Sequence, residues 1–176
     1  TIATDDSWDW SNDGPIRFAD NKDGEEVNAQ KEPSYSGKAK ITNHPVTPTA
    51  SNNVPVTEHE RLKPVCITTP SGKTVLDFGQ NIAGYAEFTV AAHAGKLKLR
   101  FGELLDADGE FTQKNIQCSN KNITTPLQQV VYTCREGENH YKTTFAIFGF
   151  QYILVETEVP FQPEDFTAIA VYSDME

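Results

Sequence analysis

Residues 96–101 read KLKLRF, and this alternation constrains the chain more than any other stretch. Leu97, Leu99 and Phe101 fall on one side of an extended strand, with Lys96, Lys98 and Arg100 on the other. A helix would scatter the same residues around its circumference, so only a sheet with one apolar and one polar face uses them. From Ile67 onward the signal repeats. QQVVYTC, HYKTTFAIF, FQYILVET and FTAIAVY are rich in β-branched and aromatic residues and are bounded by Gly, Pro, Asn or Asp. FQYILVE is apolar on both faces (Phe150, Tyr152, Ile153, Leu154 and Val155), as a central strand requires. The aromatics Phe145, Phe148, Phe150 and Tyr152 are expected in the core, with Gly149 as a bulge or close-packing point. No segment sustains a helical period. Short strands punctuated by turn signals predict an all-β fold, a β-sandwich or jelly roll.

A chain of 176 residues is long enough to bury a sizeable core, and residues 1–176 are read as a single β-sandwich domain. The exception is a stretch at about 31–58, where Pro33, Pro45, Pro48, Pro55 and many Ser, Thr and Asn leave little to bury. It is expected to be a long surface loop, the alternative being a linker between two modules. The net charge of −10 argues against nucleic-acid and anionic-membrane partners, and is compatible with neutral sugars and with cations. No apolar run approaches a membrane span, and no basic start followed by an apolar stretch is present. Opening on Thr1, the chain reads as a piece of something longer. Cys66, Cys118 and Cys134 are irregularly spaced, which speaks against a zinc site; Cys118 and Cys134 could pair across a loop. Asn122 begins an NIT glycosylation sequon.

Three polar clusters could carry chemistry. GPIRFADNKDGEE, residues 14–26, ends in Asp20, Asn21, Asp23, Gly24 and Glu25. Oxygen donors crowded on a glycine-containing loop suit a hard cation such as Ca²⁺, although such an acidic turn taken alone is more often a solvated hairpin. DFGQNIAGYAEF, residues 77–88, places Gln80 and Asn81 between Gly79 and Gly84 at the joint of two β-runs. These amides either bind a ligand or hydrogen-bond their own turn. In RFGELLDADGEF, Glu103 and a loop aspartate lack any spacing that supports an acid–base pair, and DADG is an ordinary turn signature.

GPIRFADNKDGEEVNA, VLDFGQNIAGYAEFTV, KLKLRFGELLDADGEF and TFAIFGFQYILVE occur in that order. Together they resemble the non-catalytic β-sandwich region of bacterial α-L-rhamnosidases of glycoside hydrolase family 78, similar to the rhamnose-binding module of carbohydrate-binding family 67. The chain departs from that pattern at Gln151, where arginine is usual, and at Asn28, where aspartate is common. The resemblance implies a Ca²⁺ held by Asp20, Asn21 and Asn81, with a backbone carbonyl near Ala86, and completed by vicinal hydroxyls of a terminal L-rhamnose. Trp8, Trp10 and Tyr85 are candidates for stacking on the sugar. It implies further that catalysis belongs to an (α/α)₆ barrel of the parent enzyme, so this chain is expected not to be an enzyme itself. Partners would be L-rhamnose or rhamnosylated glycans and that catalytic barrel. A polysaccharide-degrading role points to export, extracellular or periplasmic, ahead of the cytoplasm. The alternative function is a structural spacer packed on the barrel without binding sugar.

Overall fold

The structure, a computed structural model, describes residues 5–42, 46–47, 49–120 and 123–174; Asn122 and part of the 31–58 stretch therefore lie outside the described residues. The N-terminal half contains β1 (Asp9–Trp10), β2 (Ile16–Asp20), β3 (Gly24–Asn28), β4 (Gly37–Lys38), β5 (Val56–Leu62), β6 (Val65–Thr68) and β7 (Thr74–Ala92). There follow β8 (Gly95–Gly102), β9 (Leu104–Leu105), β10 (Phe111–Thr112), β11 (Cys118–Asn120) and β12 (Ile123–Thr125). The chain finishes with β13 (Gln129–Cys134), β14 (Gly137–Lys142), β15 (Phe148–Thr157) and β16 (Phe166–Ser173). The fold is all-β, as the alternation predicts, with one short 3₁₀ turn at Pro163–Asp165.

The main sheet runs β2-β3-β13-β8-β15-β7-β16-β5, with β6 and β14 also paired to β7. It curls into two layers. Tyr132 of β13 meets Phe88 of β7 edge-on at 5.2 Å and Tyr141 of β14 at 5.3 Å, so the β3–β13 side lies over the β7–β14 side. Leu97, Leu99 and Phe101 are buried between the layers with Phe148, Phe150 and Phe166, as the period of two requires. A smaller cluster of Val75, Phe111 and Leu154 covers the opposite face, which is why neighbouring positions on β7 and β15 are both buried. Phe145 departs from expectation: it is 53% exposed, because its backbone rather than its ring is held at the layer junction. Tyr152 is half-buried on the smaller cluster. Gly149 is a close-packing point, with Glu103 Oε1 only 3.0 Å from where a Cβ would stand.

Strand β7 has 19 residues and, at about 3.3 Å each, would span roughly 60 Å if straight. It bends at a bulge. Phe150 pairs with Ile82 and Tyr152 with Asp77, so four residues of β7, 78–81, face the single Gln151. Asp77 pins this excursion: its Oδ1 accepts the Gly79 N–H at 2.8 Å and Gln151 Nε2 at 2.9 Å. Gly79 sits at φ +80°, a conformation that disfavours a side chain. Gly84 has a different reason, since a Cβ there would stand 2.0 Å from the carbonyl oxygen of Ile169 on β16.

The layers are tied by a buried carboxylate. Glu25, 2% exposed, accepts the backbone N–H groups of Thr144, Phe145 and Ala146 at 3.0, 2.5 and 2.9 Å through Oε1, and the Tyr141 hydroxyl through Oε2. Strand β3 enters the sheet by pairing parallel to β13.

The expected 31–58 loop is partly structured: Gly37–Lys38 pairs with Asp9–Trp10, and Val56 already belongs to β5. Cys66, Cys118 and Cys134 are free thiols; Cys134 is buried and Cys118 exposed, so the pairing open to Cys118 and Cys134 is not formed.

Glu25→Ala leaves three N–H donors at the layer junction, one of them on the buried Ala146, without their acceptor and should cost roughly 2–4 kcal/mol in urea unfolding, with Glu25→Gln intermediate. Asp77→Ala should cost only about 1–1.5 kcal/mol but speed amide hydrogen exchange at Gly79 roughly tenfold, leaving β8 amides unchanged.

Candidate functional site

Asp20 closes β2, and its Oδ1 accepts the N–H groups of Lys22 and Asp23, both at 2.8 Å. These bonds, Asp23 first, hold its carboxyl below the usual carboxylate range, so it is anionic at neutral pH. Among the described hydrogen bonds none reaches Asp20 Oδ2 or the Asn21 side chain, and both residues are exposed. Asp23 is already engaged: its Oδ1 accepts Thr125 Oγ1 and the Leu127 N–H, both at 2.8 Å. The oxygen-rich turn thus divides into a part that anchors it and a part, Asp20 and Asn21, that faces solvent.

Asn81 is exposed on the β7 bulge. A chain of bonds leads from the Asp20 turn toward it. The Lys22 carbonyl accepts the Gln128 N–H at 3.2 Å; Gln128 Oε1 accepts the Gly149 N–H at 3.3 Å; and Gly149 pairs with Ala83 of β7. The groove beside Asn81 is lined by Glu60, Gln80, Ile82, Ala83, Ala170, Val171 and Tyr172, not by Asp20 or Asn21.

The Ala86 carbonyl, expected near the cation, is instead committed. Ala86 is buried and its oxygen accepts both the N–H and the hydroxyl of Thr143, at 3.1 and 3.2 Å, which uses both lone pairs. Trp10 lies on the two-stranded β1–β4 ribbon with its indole over Gly37. Tyr85 donates its hydroxyl to Glu58 Oε1 at 2.6 Å, under the Lys142 ammonium at 6.0 Å from its ring centroid. Neither aromatic lines the Asn81 groove. The aromatic that does, Tyr172, was missed in the sequence, because only the tertiary pairing of β16 with β5 brings it there. Among the described residues no three His, Cys, Asp or Glu side chains converge on one point. A cation here would depend on one carboxylate and amide oxygens, the donor set that suits Ca²⁺.

Burial, and then the bond to Glu58, push the Tyr85 phenol up to about 12. Its unfolded value is about 10, so the neutral phenol's contribution to stability is complete below about pH 10 and is lost as pH rises toward about 12. An alkaline titration followed by phenolate absorbance should show this late step, and Glu58→Gln should move it to lower pH.

Residues 67–172 match the bacterial alpha-L-rhamnosidase concanavalin-like domain. The α-L-rhamnosidase of Alteromonas sp. (strain LOR) is 29% identical over 177 residues, and that of Streptomyces avermitilis 31% over 170. These alignments cover 90% and 88% of this chain but only 18% and 16% of those proteins, so the chain spans less than a fifth of their length. The native α-L-rhamnosidase of Aspergillus terreus superposes with a TM-score of 0.77 at 26% identity, over 99% of this chain and 21% of that one. The S. avermitilis α-L-rhamnosidase complexed with L-rhamnose gives a TM-score of 0.75 at 27% identity, over 92% of this chain and 16% of that one. With more than half of its length matched, the chain belongs to the family of bacterial α-L-rhamnosidase concanavalin-like domains.

Proposed function

We propose that this domain is a non-catalytic carbohydrate-binding module that recognises terminal L-rhamnose with the help of Ca²⁺, within an α-L-rhamnosidase whose hydrolytic chemistry lies elsewhere. The observation that carries the reading is the pairing of an anionic Asp20, one carboxylate oxygen fixed by its own turn and the other open, with the adjacent exposed Asn21. Asn81, on a bulge pinned by Asp77, is the third proposed ligand. Ala86 is left out of the set, because Thr143 occupies its carbonyl. One carboxylate and two amides leave a bound Ca²⁺ a net positive charge and several of its six to eight positions for vicinal hydroxyls. Support also comes from the S. avermitilis relative, whose solved structure is a complex with L-rhamnose.

A monosaccharide exchanges water hydrogen bonds for protein ones at small net gain, so a dissociation constant on the order of 0.1–1 mM is expected. The module would act by holding its enzyme near rhamnosylated glycans, raising effective concentration. An exported location suits that role.

A second reading, a spacer packed on the catalytic barrel, is favoured by the exposed Trp8, Phe18, Phe145 and Ile147. Isothermal titration of L-rhamnose into the domain separates the two. Saturable binding abolished by EDTA, and by Asp20→Ala or Asn81→Ala, is the expected outcome. Binding that survives EDTA removes the metal from the reading. No heat in either condition, from a domain that is folded by circular dichroism, overturns sugar binding in favour of the spacer.

A further inference from the structure

Strands β7 and β16 run paired from Phe88↔Phe166 to Gly84↔Ala170 and then part. Beyond that point β7 enters its bulge, while β16 continues against β5 through Tyr172↔Thr57 and Ser173↔Val56. Between them lies a groove of about 320 Å³, near the lower end of the ~300–1,000 Å³ usual for small-ligand clefts. Small residues, Ala83 and Ala170, keep it open; Glu60, Gln80, Asn81 and Tyr172 supply its polar and aromatic lining.

That lining is ordered before any ligand arrives. The Tyr172 ring stacks on His59 at 3.5 Å with the planes 5° apart. Its hydroxyl donates to Glu60 Oε1 at 2.9 Å, and His59 Nε2 lies 3.0 Å from Thr57 Oγ1. Its own backbone N–H, then the Tyr172 hydroxyl, hold the Glu60 carboxyl below the ordinary range, so it is an acceptor at neutral pH. A carboxylate acceptor, two primary amides that both donate and accept, and an aromatic side chain are what a pyranose needs: partners for adjacent hydroxyls and a surface for its C–H groups. Preorganisation matters most for a weakly bound sugar, because ordering long side chains on binding would consume much of the gain. The same carboxylate, in a chain of net charge −10, disfavours an acidic sugar.

We infer that this groove is a second subsite, taking the neutral sugar unit that precedes terminal rhamnose in a rhamnosylated glycan, with Asn81 standing between the two units. The inference rests on the reading of Asp20, Asn21 and Asn81 as the terminal-sugar site and extends it to Glu60, Gln80 and Tyr172. It makes the domain selective for how rhamnose is linked, as well as for rhamnose itself.

The test compares methyl α-L-rhamnoside, rutinose (α-L-rhamnose joined to glucose) and an α-L-rhamnosyl-glucuronate, by calorimetry and by amide chemical shifts of the whole domain. Rutinose should bind about tenfold tighter than the methyl glycoside, and the glucuronate should show no such gain. Backbone signals of Glu60, Val171 and Tyr172 should move with rutinose alone. Tyr172→Ala should erase the tenfold difference while leaving methyl rhamnoside affinity as it was. Equal affinities, with those three signals unmoved, overturn the subsite while leaving the terminal site standing. If methyl rhamnoside fails to bind, the terminal reading falls, and rutinose-induced shifts at the three residues alone decide the groove. The wild-type shifts do not depend on any variant folding.

Discussion

The Glu25 carboxylate is the constraint on which the two-layer arrangement turns. The connection from β14 to β15 presents three successive backbone N–H groups, from Thr144 to Ala146, at a point where no strand is available to receive them. Donors left without acceptors are costly in proportion to their burial, most of all for the buried Ala146 at the end of this run. A single carboxylate on β3 satisfies all three and takes the Tyr141 hydroxyl on its other oxygen. Thr143, next in line, returns its own N–H and hydroxyl to the Ala86 carbonyl. One short segment is thereby fastened to β3 in one layer and to β7 in the other, which sets the spacing that the Phe88, Tyr132 and Tyr141 rings then fill.

The DFGQN stretch divides its labour along the same lines. Asp77 and Gly79 build the bulge, and Phe78 is buried beneath it. What remains, Gln80 and Asn81, is turned out where β7 and β16 separate. The aspartate and glycine before them satisfy the turn, which leaves the two amides exposed. Gln151 belongs to this device: facing the bulge alone, it donates to Asp77 with a neutral amide, where the family pattern's arginine would bring a charge.

Strand identity was legible because burial on one face leaves a period of two, as Leu97, Leu99 and Phe101 show. Phe145 misled for the same reason: an aromatic in an apolar run looks like core, and nothing local reveals that Glu25, 119 to 121 residues away along the chain, captures the backbone around it. The role of Glu25 was hidden because a buried carboxylate and a solvated one read alike. Asp20, Asn21 and Asn81 became candidate ligands through a resemblance and not through spacing, since Asn81 lies on β7, far along the chain from the turn after β2. The commitment of the Ala86 carbonyl was not legible, because it depends on a donor, Thr143, that sequence order does not place nearby. Glu60 and Tyr172 went unread because their meeting needs the antiparallel pairing of β5 with β16.

The parallel pairing of β3 with β13 has a consequence for how the chain is made. Strand β3 leaves the ribosome well before the strand it pairs with and the loop that Glu25 caps; Thr144 follows Glu25 by 119 residues. At about 5–20 residues per second that is a delay of roughly 6–24 s. The β2–β3 hairpin lacks its partner strand until β13 is made, and Glu25 lacks its donors until Thr144 to Ala146 follow. The segment bearing Asp20 and Asn21 is thus synthesised well before it can be locked, so on the nascent chain the proposed rhamnose site waits for the second half of the domain.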